Sequence, residues 1–152
     1  MHVCIVHKGG TVPFHTILKK GHKLQMNFTN IDRGDSSGYP LTSQMVICNQ
    51  EQWEQVWQAH TSELIPPPSL PKIDFDCDQV IAVFAGEKQT SGYAVEIVGV
   101  ETRTTGKGGY PLLVLKIRYS RPGAIVQDIV TRPYHIIKVP RVDAIEVAVE
   151  QV

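Results

Sequence analysis

The sequence has no excess of charge of either sign, no long apolar run, few cysteines and none of the short motifs that mark common catalytic centres. Lys+Arg and Asp+Glu number 15 each. A nucleic acid or an anionic membrane surface needs a basic excess that this chain does not have, so neither is expected as the main partner. No apolar stretch reaches the eighteen or so residues that suggest a helical membrane span, and none is expected. The three cysteines, Cys4, Cys48 and Cys77, are odd in number and form no Cys-x-x-Cys pair. That excludes a full disulfide framework and leaves room for one bridge; buried thiols in a reducing compartment are the expectation. The opening "MHVCIV" is too short for a signal segment. The chain as given is therefore expected in the cytoplasm by default, or outside it if a signal segment was removed.

There is no Gly-x-Ser-x-Gly, His-Glu-x-x-His, phosphate-binding loop or dinucleotide fingerprint, so neither a catalytic residue nor a cofactor is expected and the chain reads as a non-enzyme. His7, His15 and His22 are spaced loosely like ligands, but they fall on different elements and no cysteine or carboxylate joins them; no metal site is expected. Asp74, Asp76 and Asp78 alternate in "IDFDCD". The glycine and terminal glutamate of a calcium loop are missing, and solvated carboxylates preceding a buried strand account for the alternation. Cys77 with a histidine would make a nucleophile pair only if the fold joined them.

The chain does contain enough apolar material for one core. At 152 residues and 42% hydrophobic, a single domain over residues 1–152 is expected. The clearest element is a helix over Gln50–His60. Asn49 suits the N-cap, Gln52 completes a capping-box pattern, and Trp53, Val56, Trp57 and His60 fall on one face. Burial of both indoles against a sheet, near Phe75 or Phe84, is expected. The prolines of "SELIPPPSLPKID" forbid helix and ladder alike, so this stretch reads as an extended connection.

Strands are expected elsewhere. Residues 1–14 suggest a short one ending at Gly9-Gly10, and "FHTILKKGHKLQMNF" two joined by a turn at Lys20–His22. Thr29 to Ser43 reads as a polar surface loop. From Phe75 the strands are 79–86, 93–103, 111–120, 124–130, 134–139 and 144–152. Strand 79–86 pairing with 93–103 as a tight hairpin, and 124–130 with 134–139 as another, is the simplest connectivity. The fold class expected is mainly β, an antiparallel β-sandwich or partly open barrel with one packed α-helix.

Three tips share parts of one chemistry: Thr90-Ser91-Gly92-Tyr93 with hydroxyls, glycine and an aromatic, the glycine-rich Gly106–Gly109, and Thr131-Arg132-Pro133-Tyr134 with a hydroxyl and an aromatic. As turns they need only glycine. As contacts they would use Tyr93 and Tyr134 for area, Arg132 for a charge-assisted hydrogen bond and Gly92 for close backbone approach. Thr90, Ser91, Gly92, Tyr93, Arg132, Pro133 and Tyr134 are the expected partner-binding residues. A plain meander would put the 90–92 and 131–133 tips at opposite ends; a crossover to a second sheet would bring them together, and the repeated chemistry favours the crossover.

The order of Trp53-Glu54-Gln55-Val56-Trp57, Asp74-Phe75, Val80 to Gly86, Thr90-Ser91-Gly92-Tyr93 and Thr131-Arg132-Pro133-Tyr134 resembles the PrcB C-terminal-like domain over roughly residues 15–150. The family is named after a subunit of a bacterial surface protease complex. The resemblance implies a non-enzymatic domain with a protein partner, a protease among those expected, and export in many relatives. Ser91 stands where the family usually has glycine. A fainter likeness is to chagasin-type cysteine-protease inhibitors, carried by residues 90–93, 106–109 and either Arg121-Pro122 or Arg132-Pro133-Tyr134. Lys88-Gln89 replaces the Asn-Pro that opens the first inhibitor loop. Three functions follow: a protease-associated accessory or stabilising module, a loop-based protease inhibitor, and a small-molecule or glycan-binding sandwich.

Overall fold

The computed structural model describes residues 6–7, 23–104, 111–143 and 146–152. Nine strands and one helix are found among them: β1 (Val6–His7), β2 (Lys23–Met26), β3 (Thr29–Gly34), β4 (Thr42–Ile47), α1 (Gln50–His60), β5 (Asp78–Ala85), β6 (Ala94–Thr104), β7 (Pro111–Ser120), β8 (Tyr134–Pro140) and β9 (Glu146–Gln151). One sheet has the order β1-β4-β5-β8-β3, the other β2-β6-β7-β9. All pairings are antiparallel except β7 with β9, which is parallel. The two sheets stack as a β-sandwich and do not close into a barrel.

Alternation along the strands builds the core. Val46, Ile81, Val83, Ile137 and Val139 from the first sheet meet Val95, Ile97, Val100, Leu113, Leu115, Ile117, Val147 and Val149 from the second. Strand β5 is apolar on both faces because α1 covers its other side. There Val80, Ala82 and Phe84 pack with Met45, Ile47, Ile136, Trp53 and Trp57.

The helix has the expected bounds, and its start has the expected cause. Asn49 Oδ1 accepts the Gln52 amide at 2.9 Å. Trp53 is fully buried and Trp57 nearly so, both packed with Phe84 and Phe75. A buried indole N–H needs an acceptor, and the proline-rich connection supplies both. Trp53 Nε1 donates to Pro71 O at 2.9 Å and Trp57 Nε1 to Pro68 O at 3.1 Å. Prolines suit this role, since a segment without amide donors to satisfy can lie over a helix and offer its carbonyls.

Several expectations require correction. Thr29–Gly34 is a strand, not loop; it is polar because it is an edge strand, pairing only with β8 and bulged between Asn30 and Asp32. Residues 124–130 form no strand: no ladder runs along them, and their apolar side chains are exposed. Strands β5 and β6 do not make a hairpin but lie in different sheets. Cys48 is disulfide-bonded and Cys77 is exposed, so neither is the expected buried thiol. The expected features at residues 1–5, 8–22, 105–110 and 144–145 lie outside the described residues.

Replacing Trp57 with alanine removes both the buried ring and its hydrogen bond and should destabilise the fold by about 3–5 kcal/mol. Trp57→Phe keeps most of the area and loses the bond to Pro68 O, so about 0.5–1.5 kcal/mol is expected. Urea denaturation of the two variants measures both; a Trp57→Phe chain as stable as the natural one would mean the indole N–H contributes nothing.

Candidate functional site

Four connections meet at the end of the sandwich where β5 and β7 finish: residues 35–41, 61–65, 86–93 and 121–133. Two of them cross between sheets, 86–93 from β5 to β6 and 121–133 from β7 to β8. Having left their ladders, these crossings satisfy each other's backbone. Lys88 N donates to Thr131 O at 2.8 Å and Thr131 N to Lys88 O at 2.9 Å. Ser91 N donates to Gln127 O at 3.0 Å, and Ser91 Oγ accepts the Gln127 amide at 2.9 Å. Thr131 Oγ1 donates to Thr90 O at 2.8 Å. On the other side Arg132 N donates to Asp35 O at 2.7 Å and Ser37 N to Arg132 O at 3.2 Å. The 88–92 and 127–133 segments thus lie side by side at one end, the arrangement a crossover requires.

Gly92 is needed at its position. Its φ is +91°, and a Cβ there would stand 2.5 Å from Pro122 Cβ. Ser91 does not take a positive φ, so serine costs the turn nothing and its hydroxyl ties the two loops. Tyr93 is half-buried with Lys88 Nζ 5.5 Å from its ring centroid.

Arg132 is held by two carboxylates. Its Nη1 donates to Glu63 Oε1 at 2.7 Å, and its Nη2 and Nε reach Glu87 Oε2 at 3.0 and 3.2 Å. These bonds, Glu63 first and then Glu87, raise its pKa further. Pro133 is buried and its carbonyl accepts the Ala85 amide at 2.9 Å. Tyr134 is buried as well, a correction to its expected place in an exposed pair with Tyr93. Its ring fills the space beneath α1, and its hydroxyl donates to Asp32 Oδ1 at 3.0 Å. Burial, then the Asp32 charge, pushes that phenol well above its ordinary range.

Beneath this end lies a hydrogen-bonded chain of serine, histidine and aspartate that the sequence spacing concealed. Ser37 Oγ is 2.8 Å from His60 Nδ1, and His60 Nε2 is 2.9 Å from Asp32 Oδ2. Ser37 Oγ also accepts the Tyr39 amide at 3.0 Å. The carboxylate can only accept, so Nε2 is the donor to Asp32 and Nδ1 can accept from the serine hydroxyl. A catalytic triad needs a reachable nucleophile. Ser37 is 1% exposed and His60 3%, the latter enclosed by Trp57, Phe84 and Tyr134. The chain of bonds instead clasps β3, α1, β8 and the 35–41 loop together.

The apolar side chains of residues 124–130, which the sequence pattern assigns to a strand, are surface. Ile125 is 96% exposed, and Val126, Ile129 and Val130 are exposed beside it. Leu41, Leu64 and Ile65 are exposed on the other connections at this end. Seven of the nine exposed large hydrophobics among the described residues therefore lie on these connections; Val152 follows β9 and Leu24 lies on β2. The signal available was a β-branched run bounded by Pro122-Gly123 and Arg132-Pro133, too short of partners to be a strand.

Other candidate chemistry has structural uses. Asp74 Oδ1 accepts the Asp76 amide at 3.0 Å, and its carbonyl accepts those of Cys77 and Asp78, so it shapes a turn. Its hydrogen bond and charge raise the pKa of the Cys77 thiol, opposite to the shift that activates a nucleophile. No group of three His, Cys, Asp or Glu that could hold a metal is found among the described residues; His15 and His22 lie outside them.

One buried histidine joins the two sheets. Strand β2 pairs with only Val100–Arg103 of β6, leaving the edge of β6 near Val95–Ile97 open. His135 Nδ1 accepts the Ile97 amide at 2.8 Å, and Arg33 Nε donates to Val95 O at 3.3 Å. His135 Nε2 is 2.8 Å from Asn30 Oδ1. Burial, and then the Arg33 charge, lowers the His135 pKa to about 4. On the outer face of the other sheet, Glu101 binds Arg103 Nε and Lys116 Nζ, both at 2.7 Å. The Arg103 bond in particular lowers the Glu101 pKa to about 2.

Residues 79–140 match the family described as PrcB C-terminal. The match spans β5 to β8, including both sheet crossings, and bears out over that stretch the resemblance read from the sequence. No curated protein and no solved structure matches the chain. The chagasin likeness finds no support in these comparisons. Gly106–Gly109, its second loop, lie outside the described residues; the flanking Thr104 and Pro111 sit at the far end of β6 and β7 from Tyr93.

The histidine pairing has a pH signature. The folded pKa of His135 lies below the ordinary 6.5, so the unfolded chain binds the proton more readily. Its contribution is complete above pH 6.5 and is lost as pH falls toward 4. From pH 7 to 4.5 the loss should be on the order of 2–3 kcal/mol. Glu101 acts in the same direction but in a lower window, below its ordinary 4.5. Urea midpoints across this range should fall for the natural chain and flatten for His135→Gln; parallel curves would contradict the assignment.

Proposed function

We propose that this chain is a non-enzymatic protein-interaction domain, an accessory or stabilising module associated with a protease, and that it meets its partner through the loop end. The observation that carries this reading is the concentration of exposed aliphatic side chains on loops whose backbones are tied to one another. Apolar surface gathered in one place and framed by charge is what a protein contact uses. A pinned loop also loses little further freedom on binding, so less of the contact energy is spent on ordering it.

The PrcB C-terminal match is compatible with a partner in a protease complex. Burial of Ser37 and His60 supports the non-enzymatic reading, because the serine best placed to be activated cannot be reached. The disulfide at Cys48 favours an oxidising, extracytoplasmic setting. Of the residues read from sequence, Thr90 and Ser91 act by holding the loop pair, and Pro133 and Tyr134 by anchoring it from within. Gly92, Tyr93 and Arg132 share the surface with Ile125, Val126, Ile129 and Val130.

A photo-crosslinking phenylalanine derivative placed at Ile125, and separately at the exposed but distant Leu24, tests the reading in the native host. Position 125 should give one dominant covalent partner, a protease or a protein bound to one, and position 24 should not. The same products from both sites would refute a contact through the loop end.

A further inference from the structure

Beside the aliphatic loop is a charged pit whose composition selects a partner. Asp35, Glu63 and Glu87 line it together with Arg132, whose guanidinium is bonded by the two glutamates, and Val130 forms the apolar wall on the side of the loop. Three carboxylates and one cation are among the lining residues, a formal excess of two negative charges. Arg132 is also more withdrawn than its counterions, at 21% side-chain exposure against 63% for Glu63 and 42% for Glu87. It engages Oε1 of Glu63 and Oε2 of Glu87. The second oxygen of each carboxylate is free for another donor, since a carboxylate has room for about four hydrogen bonds.

Resting on the reading above, we infer that the loop end binds an extended segment of another protein that carries an arginine or lysine between aliphatic residues. The aliphatic side chains would lie along Val126, Ile129 and Val130, and the cation would enter the pit against Glu63, Glu87 and Asp35. Arg132 then has a second role. By holding both glutamates in place it fixes the geometry of the carboxylates, and by its own charge it keeps their field from being strong enough to trap free cations. An acidic segment would meet the carboxylates first and be repelled, so the pit discriminates by charge while the loop supplies area.

The test uses the full chain, 15N-labelled, and two blocked peptides, acetyl-Val-Ile-Arg-Val-Ile-amide and its counterpart with glutamate at the centre. The arginine peptide should shift amide signals of Asp35, Glu87 and Val130. Its affinity should fall several-fold toward about 1 M salt, where the screening length is about 3 Å. The glutamate peptide should leave those signals unmoved. In Glu63→Gln/Glu87→Gln the pit becomes formally neutral, with Asp35 against Arg132, and the arginine peptide should bind several-fold more weakly than to the natural chain. If that variant does not fold, Asp35→Asn should still weaken the arginine peptide several-fold. Equal binding of both peptides, shifts confined to other surfaces, or no shift with either would overturn the inference. A single cross-linked partner at position 125 alongside any of these results would leave the loop-end contact standing and remove only its charge selectivity.

Discussion

Two sheet crossings leave the sandwich at the same end, and each must find hydrogen-bond partners that a ladder would otherwise supply. Lys88 and Thr131 exchange both of their backbone bonds, and Ser91 and Gln127 add two more. The rest of this end depends on that mutual satisfaction. It fixes Gly92 against Pro122, sets Arg132 between Glu63 and Glu87, and leaves residues 124–130 with their β-branched side chains outward. An isolated connection of this length would be free to fold those side chains back onto the protein. Here both flanks are tied, so the apolar surface remains presented.

The layer beneath explains why the platform is rigid. Strand β5 is buried on both faces because α1 closes the one that the second sheet does not. The helix is held in turn by indole N–H bonds to carbonyls of the proline-rich connection. At its C-terminal end His60 links Ser37 to Asp32, and Asp32 takes the Tyr134 hydroxyl. A serine–histidine–aspartate chain commonly suggests hydrolysis. In this fold the same hydrogen-bonding capacity joins the loop end to the helix, and burial of every polar group but the outer carboxylate explains why the chain is fully bonded.

Much of this could be read from residue order and some of it could not. The helix was legible to its last residue because Asn49 caps it and the tryptophans recur at helical spacing. Strands β5, β7 and β8 were legible from their β-branched runs. Sheet membership was not, since the six residues between Gly86 and Tyr93 suit a hairpin as well as a crossing. Residues 124–130 carry a strand's composition without a strand's neighbours, and only tertiary structure reveals that no edge is offered to them. Thr29–Gly34 failed the opposite way, as a polar edge strand whose pairing is invisible in its composition. The Ser37–His60–Asp32 chain unites three elements and has no local pattern at all. The repeated chemistry of the 90–93 and 131–134 tips favoured a shared end without deciding it, while Tyr134 was misplaced because a strand's first residue faces either way.

Hydrogen exchange on the complex of this chain with its native partner tests the central claim most directly. Binding through the loop end should slow exchange in residues 86–93 and 121–133 together, because the two segments share their hydrogen bonds. The amides of β2 and β9, the edges of the second sheet, should be unchanged. Protection confined to those edges, with the loop pair exchanging as in the free chain, would contradict it.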